Sequence, residues 1–140
     1  MKIKIKKLHG DAIIPKYAHF DDAGLDLFTI EDTLIKVGER IPVKTGIAME
    51  IPVGHVGLIW DKGGVSVKGG IKTIAGVVDS SYRGEILVAV INLSDKDYKF
   101  EKGHKIAQMI IQKKETVEFE EVAELTETKR GEGRLGSTGK

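Results

Sequence analysis

Asp79 and Tyr82 stand three residues apart in "GVVDSSYRGEI" (76–86). A carboxylate behind two valines and ahead of a Ser-Ser turn pair could hold a water and act as a general base. The tyrosine ring offers a flat surface for a base or a sugar. The segment reads as a β-hairpin carrying both groups at its tip, although a turn Asp beside a core Tyr would give the same pattern. Upstream, "WDKGGVSVKGG" (60–70) contains two Gly-Gly pairs and two lysines, Lys62 and Lys68. Backbone N–H groups freed by glycine can form an anion-binding nest, and lysine adds a point charge beside it. A pair of strand turns would use the same residues. In "DDAGLDL" (21–27) a turn precedes Asp26, which then faces away from Leu25 and Leu27 on a strand. An exposed Asp after a turn is the plain alternative. In "GHKIAQMII" (103–111) Gln108 interrupts an apolar strand. A strand-end amide there could reach a ligand or cap a neighbouring backbone.

The chain closes on "RGEGRLGSTGK" (130–140). A P-loop needs G-x-x-x-x-G-K-[ST] between a strand and a helix. Here the glycine spacing is one residue too long and no residue follows Lys140. What the segment does offer is arginine forks, backbone amides and two hydroxyls, all donors suited to phosphate oxygens.

These residues must be positioned by short strands. Period-two alternation predicts strands over 2–8, 34–37, 41–51 and 55–60, interrupted by glycine and proline. "EILVAVINL" (85–93) is almost continuously apolar and reads as a central strand buried on both faces. "YKFEKG" and "KIAQMIIQK" read as a further pair turning at Lys102-Gly103, and "TVEFEEV" (116–122) alternates again. Only 120–129 has the makings of a short helix. Many short strands with frequent turn signals predict an all-β sandwich or barrel. Seventeen of 140 residues are glycine, against a usual ~7%, which fits many turns or close backbone approaches. Near Thr126 the apolar residues thin out, dividing a core (1–125) from a mobile glycine-rich C-terminal segment (126–140).

Composition narrows the function further. The length suits one domain. A net charge of +1 gives no basic field for nucleic acid or a membrane surface. The lack of cysteine removes disulfides, thiolate metal sites and thiol catalysis, and fits a reducing cytoplasm. No stretch approaches the roughly 18 apolar residues of a membrane span. The four histidines (His9, His19, His55, His104) lack metal-ligand spacing.

In their order along the chain, the five segments resemble the five motifs of the trimeric deoxyuridine triphosphatase family. "AGLDL" looks like the first motif and "DKGGVSVKGGI" is similar to the second, usually R/K-S-[GS]-L-A-x-K-x-G-I. "GVVDSSYRGEI" looks like the third, G-V-I-D-x-x-Y-R-G-E. "GHKIAQMII" resembles the fourth, and "RGEGRLGSTG" the fifth, R-G-x-G-G-F-G-S-T-G.

The resemblance implies a jelly-roll-like β fold, a homotrimer with active sites at subunit contacts, and hydrolysis of dUTP to dUMP and pyrophosphate. On that basis Asp79 activates the water that attacks the α-phosphorus, and Tyr82 stacks on the deoxyribose and excludes a 2′-hydroxyl. Backbone groups of a 73–78 hairpin, including Thr73, Val77 and Val78, read the uracil edge. Lys62, Gly63, Gly64 and Gln108 surround the phosphates from a second subunit, and Asp26 helps place Mg²⁺ through water. From a third subunit, Arg130, Gly136, Ser137 and Thr138 hold the γ-phosphate and Leu135 covers the uracil, the tail acting as a lid.

Three positions depart from the family pattern. Gly63 stands where the family carries a serine that contacts the oxygen bridging the α- and β-phosphates. Leu135 replaces a phenylalanine and Arg134 a glycine. Ser66, taken as lying on an alternating strand, points elsewhere and does not substitute for the serine. A dCTP deaminase of the same superfamily and a trimeric interaction module without activity are the alternatives. Side-by-side assays of dUTP, dCTP and dTTP separate them.

Overall fold

The computed structural model describes residues 1–134 of the 140. Eleven strands and one helix are formed among them. The all-β class expected from the sequence is the one observed.

Every pairing is antiparallel. The largest sheet has four strands, in the order β2 (Leu25–Phe28), β11 (Lys105–Lys113), β6 (His55–Asp61), β8 (Val77–Val78). A second has β9 (Leu87–Asn92) between β4 (Arg40–Lys44) and β7 (Ile71–Thr73). Two further pairs complete the fold: β1 (Lys4–Lys7) with β5 (Ile47–Glu50), and β3 (Thr33–Ile35) with β10 (Tyr98–Phe100). The inward faces of these sheets share one core, with Leu27, Ile35, Val88, Val90, Phe100 and Met109 fully buried. Burial of each such side chain contributes about 1.5–3 kcal/mol. This shared core holds the large sheet against β9, and so holds together the loops that carry the candidate site.

Tertiary pairing departs from the local reading in several places. β9 is central, as expected, but only alternate residues are buried; Leu87 is 42% exposed while Val88 and Val90 are fully covered. The turn at Lys102-Gly103 forms, with Gly103 at φ 81°, yet the strands beside it do not pair: β10 joins β3, and β11 joins β2 and β6. The segment 73–78 is not a hairpin either. β7 pairs with β9 and β8 pairs with β6, so the chain crosses from one sheet to the other there. Likewise 76–86 passes from β8 to β9 through a turn rather than folding back on itself. Neither the strand expected over 116–122 nor the helix expected over 120–129 is formed. After β11 the described chain is exposed, with Phe119 94% and Leu125 87% accessible. Without a buried face, alternation has no sheet partner to reward it.

The helix α1 (Gly63–Gly69) lies where glycine-rich turns were expected. Its sequence, GGVSVKG, is a poor helix former, with three glycines and two β-branched valines. It is held at both ends instead. Ser66 N–H donates to the Lys62 carbonyl at 2.9 Å, and Gly70, in the left-handed region at φ 67°, donates to the Ser66 carbonyl at 2.9 Å. Glycine is the residue that takes this cap conformation without strain. Val65 anchors the helix on the core. Ser66 therefore sits on a helix rather than a strand.

Candidate active site

Two separate groups of candidate residues form. The first is a cleft of about 210 Å³ lined by Ile59, Ala75, Gly76, Val77, Val78, Asp79, Tyr82, Ile86 and Leu87. β8 delivers Val77 and Val78 to its wall. Gly76, at φ 122°, passes so close to β6 that an added Cβ would lie 2.8 Å from the Ile59 carbonyl oxygen, so only glycine fits. Asp79 follows β8 directly and opens a turn closed by the Tyr82 N–H on its carbonyl at 3.1 Å. The turn is braced by Arg83, whose guanidinium donates to the carbonyls of Ser80 (2.6 Å) and Tyr82 (2.8 Å). Tyr82 is 45% exposed, not a core ring, and its hydroxyl donates to the Glu85 carbonyl at 3.0 Å, which fixes the ring's tilt. Asp79 itself is exposed.

The second group gathers where β2, β11 and β6 run side by side. Asp26 is opposite Gln108, and Gln108 is opposite Trp60. Asp26 is not the exposed residue its turn context suggested: it is 1% accessible. Lys62 Nζ donates to its Oδ1 at 2.5 Å. Lys105 Nζ lies 2.6 Å from Oδ2, an ion-pair distance, although Oδ2 accepts no well-aligned hydrogen bond. Burial pushes this carboxyl up. The adjacent ammonium groups of Lys105 and Lys62 outweigh it and hold Asp26 below the usual carboxylate range. Gln108 lies inside β11, not at its end, and its Nε2 donates to the Asp61 carbonyl at 2.9 Å. Gly24 leaves room for it, since a Cβ there would sit 2.6 Å from Gln108 Oε1.

Lys62 caps α1 without a side-chain bond to the helix, and the first-turn N–H groups have no intrahelical acceptor. Gly63 and Gly64 have nothing within 4 Å of an added Cβ. Packing within this chain therefore does not require either to be glycine, and both present bare backbone outward.

Thr73 is less available than expected. Its N–H and its hydroxyl both donate to Asp61 Oδ1, at 2.8 and 2.6 Å, and its carbonyl accepts from Lys72 Nζ at 2.9 Å. Asp61 and Lys105 were not singled out from the sequence. The only signal for Asp61 is an acidic residue ending an apolar strand just before the glycine pair, and only pairing across sheets reveals its partners.

The structure unites Asp79, Tyr82, Val77 and Val78 in one cleft, and Asp26, Lys62 and Gln108 in another cluster. Lys62, Gly63, Gly64 and Gln108 do not line the cleft. Arg130 lies in the exposed tail, its Nε on the Gly133 carbonyl at 3.0 Å, and is not brought to either group. Leu135, Gly136, Ser137 and Thr138 lie outside the described residues. Among the described residues no three His, Asp or Glu side chains converge as a metal cage, and no helix is long and apolar enough to cross a membrane.

Comparison with known proteins bears on this arrangement. The chain is 45% identical over 141 residues to the deoxyuridine 5'-triphosphate nucleotidohydrolase of Clostridium kluyveri, across 99% of each chain. It is 46% identical over 142 residues to that of Nautilia profundicola, across 100% of each. The dUTPase of Staphylococcus bacteriophage 80alpha bound to dUpNHpp superimposes with a TM-score of 0.93 at 29% identity, over 99% of this chain and 98% of that one. A mutant dUTPase from phage phi11 of S. aureus, in which a structural Mg(II) ion is coordinated, superimposes with a TM-score of 0.85 at 25% identity, over 91% of this chain and 100% of that one. The family model for dUTPase matches residues 10–139, and with these relatives spanning its whole length the chain belongs to the dUTPase family.

Proposed function

We propose that this chain hydrolyses dUTP to dUMP and pyrophosphate as a homotrimer. The observation that carries the reading is the cleft in which an exposed carboxylate, an inclined aromatic ring and glycine-flanked backbone meet. Asp79 holds a water and takes its proton as the water oxygen bonds to the α-phosphorus. The bond from that phosphorus to the bridging oxygen breaks, and pyrophosphate leaves. Tyr82, tilted by its bond to Glu85, backs the deoxyribose and leaves no space for a 2′-hydroxyl. Backbone groups of 75–78 face the uracil. Thr73, whose main chain is already engaged, supports that segment from behind.

The leaving group is highly charged, so positive charge and backbone donors must supply most of the stabilisation. Lys62, the free N–H groups at Gly63 and Gly64, and Gln108 are suited to it. In one chain they stand apart from the cleft, and their glycines are open to the outside. Supply of this cluster by a neighbouring copy completes the site, which is the reason for a trimer. Arg130 and the closing residues Leu135 to Thr138 add phosphate donors and apolar cover as the tail of another copy.

Mg²⁺ fits as a partner of the triphosphate rather than of a protein cage. Asp26 has a buried Oδ2 without an aligned donor, which suits it to accept from a metal-bound water, while two adjacent ammonium groups make it a poor direct ligand. When bound with substrate, Mg²⁺ neutralises phosphate charge. The absence of cysteine suits a cytoplasmic enzyme.

A pyrophosphate-release assay with dUTP, dCTP, dTTP and UTP tests the reading, with Asp79→Asn beside the wild type. Pyrophosphate from dUTP alone is expected, and none from the variant, which still binds dUTP by calorimetry. Undiminished turnover by the variant would remove Asp79 from the role of base. A solution mass of three times the 15.3 kDa chain supports the trimer, and a monomer mass under assay conditions overturns it.

A further inference from the structure

Asp61 takes no part in the chemistry above, yet it bonds to Thr73 and Gln108 and directly precedes Lys62. Its carboxylate Oδ1 accepts both the N–H and the hydroxyl of Thr73, at 2.8 and 2.6 Å. Lys72 Nζ sits 3.0 Å from Oδ2. Its own carbonyl accepts the Gln108 amide at 2.9 Å, and it immediately precedes Lys62, the cap of α1. Thr73 is 8% exposed, so its two donors have little access to water as a substitute. β6, which ends at Asp61, pairs with β8, while Thr73 belongs to the other sheet. The carboxylate thus ties the end of β6, in the large sheet, to the β7 end of the crossover, in the other sheet. Beyond Thr73, the next crossover residues are held by the Ile74 N–H on the Ala89 carbonyl (2.9 Å) and the Ile59 N–H on the Gly76 carbonyl (2.7 Å).

We infer that Asp61 is a positioning residue for base selection, fixing the backbone of 73–78 at its Thr73 end. The inference rests on the dUTP-hydrolysing reading. Its physical basis is that a site discriminates by hydrogen bonds only if its backbone groups are held still, since a segment free to shift can admit a base bearing an extra methyl. A charged acceptor holding two donors on one residue is a stiff tether.

The experiment compares wild type, Asp61→Ala, Asp61→Asn and Thr73→Val in steady-state assays with dUTP and dTTP, each variant's fold being checked by thermal unfolding. Thr73→Val keeps shape and strand propensity and removes only the hydroxyl bond, so it decides the matter if Asp61→Ala fails to fold. For Asp61→Ala, KM for dUTP rises and the preference for dUTP over dTTP falls, each about tenfold, while kcat for dUTP changes by less than about threefold. Asp61→Asn, which keeps an acceptor for the Thr73 N–H, falls between, and Thr73→Val shifts selectivity in the same direction by a smaller factor. Unchanged selectivity in the folded variants overturns the inference, as does an equal loss on both nucleotides confined to kcat. A wild type that cleaves dTTP as readily as dUTP overturns instead the reading on which the inference rests.

Discussion

Gly63→Ser restores a hydroxyl at the position where family members carry serine, and the structure states what it meets. Gly63 is the first residue of α1, its φ is not in the left-handed region, and an added Cβ has nothing within 4 Å. The substitution therefore introduces no clash and no backbone strain. Serine is roughly 0.5 kcal/mol better than glycine in a helix, which for a domain of this size raises Tm by about 2 °C. Catalysis should change more. A hydrogen bond to a charged group contributes about 1.5–3 kcal/mol, and each 1.4 kcal/mol off the barrier is about tenfold. Backbone donors already serve the same oxygens, so the lower figure applies, and kcat should rise about tenfold with KM for dUTP little altered. A hydroxyl that acts on the leaving group appears in kcat and not in ground-state binding. Steady-state rates at saturating dUTP, with a thermal melt on the same preparation, check both numbers. A Tm that rises while kcat stays the same would show that the helix has gained and the leaving group has not, and would refute this account of position 63.

Gly84→Ala places a Cβ against the Tyr82 hydroxyl and ring edge; it should tilt the ring and reduce the preference for dUTP over UTP by about tenfold, measured as a ratio of kcat/KM. Asp26→Asn removes the one negative charge between Lys62 and Lys105. Loss of one partner of a buried pair costs about 3–5 kcal/mol, and the lower end applies because both lysines reach solvent; urea unfolding at neutral pH reads it. Because the folded pKa of Asp26 lies below its unfolded value of about 3.9, its stabilisation is full above that value and is lost as pH falls through the folded pKa. The gap between wild type and variant should therefore close below about pH 4, and a gap that widens in acid would contradict the pairing. Truncation after Thr128 removes residues whose described part is exposed and bonded only locally; Tm should stay within about 1 °C while most dUTP turnover disappears, and retained turnover would exclude the tail from the site.

Much of the strand content could be read from the chain because alternation is a local signal. β1, β3, β4, β5 and β6 lie within or overlap the predicted runs, since period-two burial needs only one covered face. Alternation also misled at 116–122, where the same pattern meets no partner. α1 was missed for the opposite reason: GGVSVKG carries no helical preference, and its ends are secured by Lys62, by Gly70 and by Val65 on the core. The burial of Asp26 could not be read from "GLDLF", because Lys62 and Lys105 approach it from 36 and 79 positions away.

By itself the sequence determined the strand-rich class and the family, through five short segments whose residue types and order persist without reference to what pairs with what. It also named the carboxylate and the ring at 79 and 82, because a turn of four residues keeps its members together in any fold. Only the tertiary structure decided that 73–78 joins two sheets, that Gln108 and Asp26 face each other across β11 and β2, and that Asp61 holds Thr73. Those are contacts between residues distant in sequence. They depend on strand register and on which sheet each strand joins, and no local preference encodes either.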